Sequence, residues 1–203
     1  MKNKIALLIT SFAAVFMMSG CTMTKMGVAY MGFPSEAQDA YAEMMGNLSE
    51  TGDPAQAMMK EWLITDADLT EEDVFDEMKD LAGEYNMRFV GEKNMFRLID
   101  KELTNYKKEG STNIIVHARI AEFCSLSIAK EMLNHSRFYG GFMPCRVMYV
   151  EYGNGDRYVI SMDMTLALYG GTDKKPIDPE LFQDMLDVKK AMEEIPAMAA
   201  SGD

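Results

Sequence analysis

Residues 114–123 read IIVHARIAEF, and residues 145–165 read CRVMYVEYGNGDRYVISMDMT. The first run is β-branched and alternating, the pattern of a half-buried strand. In the second, Cys145 to Tyr152 and Arg157 to Thr165 read as two further strands. Gly153-Asn-Gly-Asp156 between them is the kind of turn that joins an antiparallel hairpin. Helical patterns lie on both sides of this sheet-forming stretch. Ser35-Glu-Ala-Gln38 has the form of a capping box for a helix to about Leu48. Asp53-Pro54, a cap followed by proline at the first helical position, predicts a second helix carrying Met58, Met59, Trp62 and Leu63. Thr70-Glu-Glu-Asp opens a third, with Val74, Phe75, Met78, Leu81, Ala82 and Tyr85 at helical spacing and Asn86 at its end. Arg88 to Gly91 reads as a short strand, and Asn94 to Leu103 has no decisive period. Ser125 is placed to cap a helix through about Leu133, and Gly170-Gly171 ends the hairpin unit. Asp178-Pro179 starts a last helix with the stripe Leu181, Met185, Val188, Met192 and Ile195, and Pro196 is its expected stop.

This order predicts an α+β fold: an antiparallel sheet with helices packed on one face, a long C-terminal helix and an extra helical N-terminal segment. The organisation read from it is a signal peptide over residues 1–20, a tether over 21–34, a helical extension over 35–64 and the α+β domain over 65–198. The chain has 203 residues, enough for one domain with an appendage, and neither a repeat nor a low-complexity tract. A formal charge of −12 argues against nucleic acid as a partner, because neutralising phosphates needs clustered cations.

The address lies in the first 21 residues. Lys2 and Lys4 precede Ile5 to Met18, an apolar run of 14. A bilayer-spanning helix needs about 20 apolar residues, so the run reads as a signal-peptide core. It closes on Met18-Ser19-Gly20-Cys21, which resembles the bacterial lipobox. That resemblance implies lipidation of Cys21, cleavage before it, and acylation of the new amine. Thr22, where aspartate would favour the inner membrane, implies an outer-membrane lipoprotein facing the periplasm. Cleavage leaves 18 Lys+Arg against 32 Asp+Glu, a charge of −14 with no polybasic patch for lipid headgroups. The expected membrane partner is therefore reached through the lipid on Cys21 alone.

Three further segments carry a family resemblance: Glu122-Phe-Cys-Ser-Leu-Ser-Ile-Ala, Gly141-Phe-Met-Pro-Cys-Arg-Val and Val150-Glu-Tyr-Gly-Asn-Gly-Asp. Together they resemble the family called domain of unknown function 302, in which a Glu-x-Cys strand end, a short helix, a Leu-Pro-Cys-Arg strand start and a glycine hairpin follow one another. Ser161-Met-Asp-Met164 and Gly170-Gly171 resemble its lipoprotein-borne branch. Ser125-Leu126 stands where many members have Asn-Pro. The resemblance implies a compact sheet with one long C-terminal helix and implies no reaction.

Cys124 and Cys145 are the residues with the sharpest chemistry. A strand, a helix and a returning strand can bring them side by side. In an oxidising periplasm a structural disulfide is the first reading, worth roughly 3 kcal/mol for a loop of this length. Unpaired buried thiols, or a redox or soft-metal pair, are the alternatives. Cys124 precedes a helix N-terminus, where backbone N–H groups would stabilise a thiolate. The 21 methionines suggest copper(I), a soft ion that thioethers bind, although most fall on apolar helix positions as core filler. A set of Cys124, Cys145, Met162 and Met164 is the soft-site alternative; otherwise no cofactor is expected. His117 and His135 stand alone, which argues against zinc and leaves each a satisfied or exposed histidine. The acidic run Asp66 to Asp73, with Glu71-Glu72, reads as a helix N-terminus on a solvated face. No catalytic frame is recognisable. The function expected is a non-catalytic periplasmic binding or accessory module on an envelope lipoprotein, with thiol redox or soft-metal handling as the alternative.

Overall fold

The computed structural model describes residues 27–28, 30–33, 35–97, 115–165 and 175–202. The segment expected to be a signal peptide, Cys21, most of the expected tether and Gly170-Gly171 lie outside the described residues. In chain order the elements are α1 (Ser35–Thr51), β1 (Met59–Leu63), α2 (Glu71–Glu84), β2 (Arg88–Arg97), β3 (Ile115–Cys124), α3 (Leu126–His135), β4 (Cys145–Tyr152), β5 (Arg157–Met162) and α4 (Pro179–Ser201). The strands form one antiparallel sheet in the order β1-β5-β4-β3-β2, and the architecture is α+β.

The β4–β5 hairpin closes as its turn residues predict. Tyr152 N–H donates to Asp156 O at 2.9 Å, and Gly155 N–H to Tyr152 O at 2.9 Å. Gly155 supplies a φ of +95°, which a side chain would disfavour. Alternation then sends Val147, Tyr149, Val159 and Ser161 to one face, with Ala121 and Phe123 of β3. Val74, Phe75, Met78 and Leu81 of α2 and Met185, Val188, Met192 and Ile195 of α4 bury against them in one apolar core. The α2 entry is a full capping box: Asp73 N–H donates to Thr70 Oγ1 at 3.2 Å, and Thr70 N–H to Asp73 Oδ2 at 2.9 Å.

Three expectations about elements are corrected. Asp53 does cap a turn, accepting from Ala55 N–H at 2.8 Å, but that turn is a single 3₁₀ element, Gln56–Met58. Met59–Leu63 is then a strand paired along β5, not a helix, so the stretch read as helical extension supplies the edge of the sheet. A free ladder on β5 outweighs a helix start that has few residues to propagate into. Second, the strand expected over Arg88 to Gly91 runs on to Arg97, with two register shifts.

Third, Pro196 does not stop α4, which continues to Ser201 and ends at Gly202 with φ +74°. Proline deprives the carbonyl four residues back, that of Met192, of its helical donor. Ser161 Oγ on β5 donates to that carbonyl at 3.1 Å, and Pro196, Ala199 and Ala200 are buried. A sheet hydroxyl thus replaces the missing helix bond.

Candidate functional site

The ends of β3 and β4 come together with the starts and ends of several neighbours at one end of the sheet. Cys145 lies opposite Phe123, and Cys124 opposite Arg88, so the two cysteines are one step out of register. Both are free thiols, Cys145 buried and Cys124 half-buried. The disulfide expected from the sequence is not formed in this arrangement. The helix N-terminus expected to stabilise a Cys124 thiolate is set against burial of the thiol. Although α3 starts two residues later, Ser125 makes no side-chain cap bond, its hydroxyl lying 3.5 Å from Ser127 Oγ. Burial pushes the Cys124 thiol up, and pushes Cys145 up to about 11, with repulsion from Cys124 adding to it.

Two cavities meet at this end. The smaller, about 20 Å³, has Met87, Cys124, Met132, Met143, Cys145 and Met164 in its wall. The larger, about 400 Å³, reaches across the sheet face opposite α2 and α4, where register aligns Ile120, Met148 and Ile160 in a row. Met59, Met162, Met164 and Met192 add to its wall, as do Cys145 and Arg146. The soft set expected from the sequence is therefore divided. Cys145 and Met164 line both spaces, Cys124 only the small one, and Met162 only the large one. Among the described residues, no Asp, Glu or His lines the large cavity. Arg146 is exposed and makes no ion pair among the described residues.

A buried polar cluster escaped the sequence reading. His117 and Arg119 of β3 point into the core, 2 % and 6 % exposed. Glu71 at the start of α2 bridges them, its Oε2 2.9 Å from His117 Nε2 and its Oε1 3.0 Å from Arg119 Nη1. Glu72 and Glu92 complete the cage at 3.0 Å each, and Phe75 stacks its ring 4.0 Å from the guanidinium carbon. Burial opposes the guanidinium charge, but the bonds to Glu71, Glu72 and Glu92 outweigh it and hold Arg119 above its ordinary pKa. Glu71 is thus an inward-facing counter-ion rather than part of a solvated face. The legible signal was the strand itself: two cationic residue types on the same alternating face as Ala121 and Phe123 require a buried partner. Neither cavity is lined by this cluster. His117 is accordingly the satisfied histidine of the two sequence options.

No group of three or more His, Cys, Asp and Glu side chains among the described residues is arranged to hold a metal ion. No helix among them is long and apolar enough to cross a membrane. The sequence model of the family described as "Domain of unknown function DUF302" matches residues 65–198. No curated protein matches the chain. Among solved structures, the crystal structure of an uncharacterized conserved DUF302 protein from Bacillus stearothermophilus is similar at 13 % identity and a TM-score of 0.46, covering 68 % of this chain and 95 % of that one.

Proposed function

The chain belongs to the DUF302 family, and we propose that its domain is a non-catalytic binding module carried on an envelope lipoprotein. The ligand class is a small amphiphile with an apolar body and an anionic head. The observation that carries this reading is the cavity of about 400 Å³, walled by methionines and aliphatic side chains with the cation of Arg146 beside it. That volume lies in the range of small-molecule sites, which are mostly apolar with few polar groups. Thioether side chains re-pack around differing shapes, which suits a pocket that accepts a class rather than one molecule. Among the described residues its wall holds no carboxylate or imidazole to act as a general base, which supports binding over turnover. Thiol redox through Cys124 and Cys145 finds less support, because burial disfavours the reactive thiolate in both.

The lipobox-like Met18-Ser19-Gly20-Cys21 supports anchoring through Cys21, with the acidic domain standing in the periplasm at the outer membrane. Labelled palmitate should enter the wild-type chain and not Cys21→Ser, and only the former should fractionate with outer membrane. An unmodified Cys21 in a water-soluble wild-type chain would sink the anchoring. For the ligand, 1-anilinonaphthalene-8-sulfonate combines fused rings with an anionic head. It should bind saturably at one site, at least tenfold more weakly in Met148→Lys and several-fold more weakly in Arg146→Ala. Unsaturable binding, or binding indifferent to Met148→Lys, would reject the cavity as the ligand site.

A further inference from the structure

We propose that the small cavity among Met87, Cys124, Met132, Met143, Cys145 and Met164 is a site for one soft monovalent cation, copper(I). The proposal stands on three features of that space. Its volume of about 20 Å³ admits a body no larger than one water molecule, so an ion fits and an organic ligand does not. Among the described residues its wall presents two thiols and four thioethers, and apart from the hydroxyl-bearing Ser125 the other side chains there, such as Ile128, Phe142 and Val188, are apolar. A water there would lack the two to four polar partners it needs, while a soft ion meets a wall to which six sulfur-bearing side chains contribute.

The donors also come from separate, rigid pieces of the fold. Met87 precedes β2, Cys124 ends β3, Met132 lies on α3, Cys145 opens β4 and Met164 follows β5. Met87, Met132 and Met164 are each less than 5 % exposed, so packing holds their positions before any ion arrives. Hard and borderline ions find no matching set, because no cluster of three His, Cys, Asp or Glu side chains exists among the described residues. Charge points to the same class. One thiolate neutralises copper(I), and thioethers complete the shell without adding charge, which keeps the desolvation cost low in a buried space. In the binding step the S–H bond of Cys124 breaks, its proton leaves to solvent and a copper–thiolate bond forms, while the thioethers donate lone pairs without losing a proton. Copper stays in the +1 state, so no oxidant or reductant is needed. Cys124, half-buried, is the more exposed of the two thiols.

The test uses the full chain in detergent, with copper(I) supplied anaerobically as its acetonitrile complex and bicinchoninate as competitor. One ion per chain should be retained, with a sulfur-only shell in copper X-ray absorption, and Cys124 should become protected from iodoacetamide. Cys124→Ser/Cys145→Ser should lose affinity at least a hundredfold. Should that double variant fail to fold, Met132→Leu and Met164→Leu, which conserve volume, should each weaken binding at least fivefold with melting curves close to wild type. Met162→Leu, which touches only the larger cavity, and Cys21→Ser should change affinity less than twofold. Failure to retain copper, nitrogen or oxygen in the shell, or equal weakening by Met162→Leu and Met132→Leu would each overturn the site. The amphiphile reading is independent, since sulfonate binding in the large cavity and copper retention in the small one are measured separately.

Discussion

Arg119 shows what one residue demands of its surroundings. Its guanidinium is buried on the core face of β3 and is tolerated only because Glu71, Glu72 and Glu92 each lie 3.0 Å from it. Glu71 is itself only 12 % exposed and also faces His117. Removing the cation as Arg119→Ala leaves a buried carboxylate without its main counter-ion. The expected loss is about 3–5 kcal/mol in urea unfolding, the range for breaking one side of a buried pair. A loss below about 1 kcal/mol would mean that the cluster is solvated in practice. The cluster also explains why a strand as apolar as IIVHARIAEF carries two cationic residue types at alternate positions. Both reach one helix N-terminus, where the carboxylates of Glu71 and Glu72 are already favoured by the helix dipole.

At the scale of elements, α4 is held to the sheet by more than its apolar stripe. Pro196 breaks the helical bond to the Met192 carbonyl, and Ser161 of β5 occupies the vacated acceptor at 3.1 Å. Ser161→Ala should therefore cost about 1–3 kcal/mol, the penalty of leaving a buried carbonyl unsatisfied. In Pro196→Ala/Ser161→Ala the helix regains its own donor, and most of that loss should be recovered in thermal unfolding. Additive losses in the double variant would show that the two residues are not coupled. The neighbouring Lys60 on β1 pairs with Glu193 of α4, and Tyr85 of the α2 terminus donates to Glu194 at 2.5 Å. These contacts tie the edge strand and α2 to the same helix, so α4 organises one whole face of the molecule.

For the molecule as a whole, the buried thiol of Cys145 and the buried phenol of Tyr149 on β4 set the alkaline limit of stability. Burial pushes Cys145 up to about 11 from 9.0 and Tyr149 up to about 12 from 10.0. Each neutral form is favoured in the folded state, so their contribution is complete below about pH 9 and is lost as pH rises through 11 to 12. Cys145 alone supplies about 2–3 kcal/mol of it. The urea midpoint should hold between pH 7 and pH 9 and then fall, and the fall should be shallower in Cys145→Ala. A midpoint unchanged up to pH 11 would contradict the burial of this thiol. The net charge of −12 adds self-repulsion in the same direction at high pH.

What the sequence determined by itself was whatever is settled within a few neighbouring residues. The β4–β5 hairpin follows from Gly153-Asn-Gly-Asp156, the start of α2 from Thr70 and Asp73, and the start of α4 from Asp178-Pro179, because each is a local contest over backbone conformation and nearby hydrogen bonds. The segments around Cys124, Cys145 and the hairpin were enough to carry the family as well. Only the tertiary structure decided the features whose energy comes from distant partners. Met59–Leu63 became a strand because β5 offered a free edge about a hundred residues away in the chain. Glu71 turned inward because His117 and Arg119 were waiting across the core. Which sulfurs share a cavity was likewise hidden. Met87, Met132 and Met164 each look like ordinary core filler in their own segments, and only the closing of the sheet end sets them around Cys124 and Cys145. Local chemistry chooses an element, but the neighbours of a buried side chain are chosen by how the elements pack.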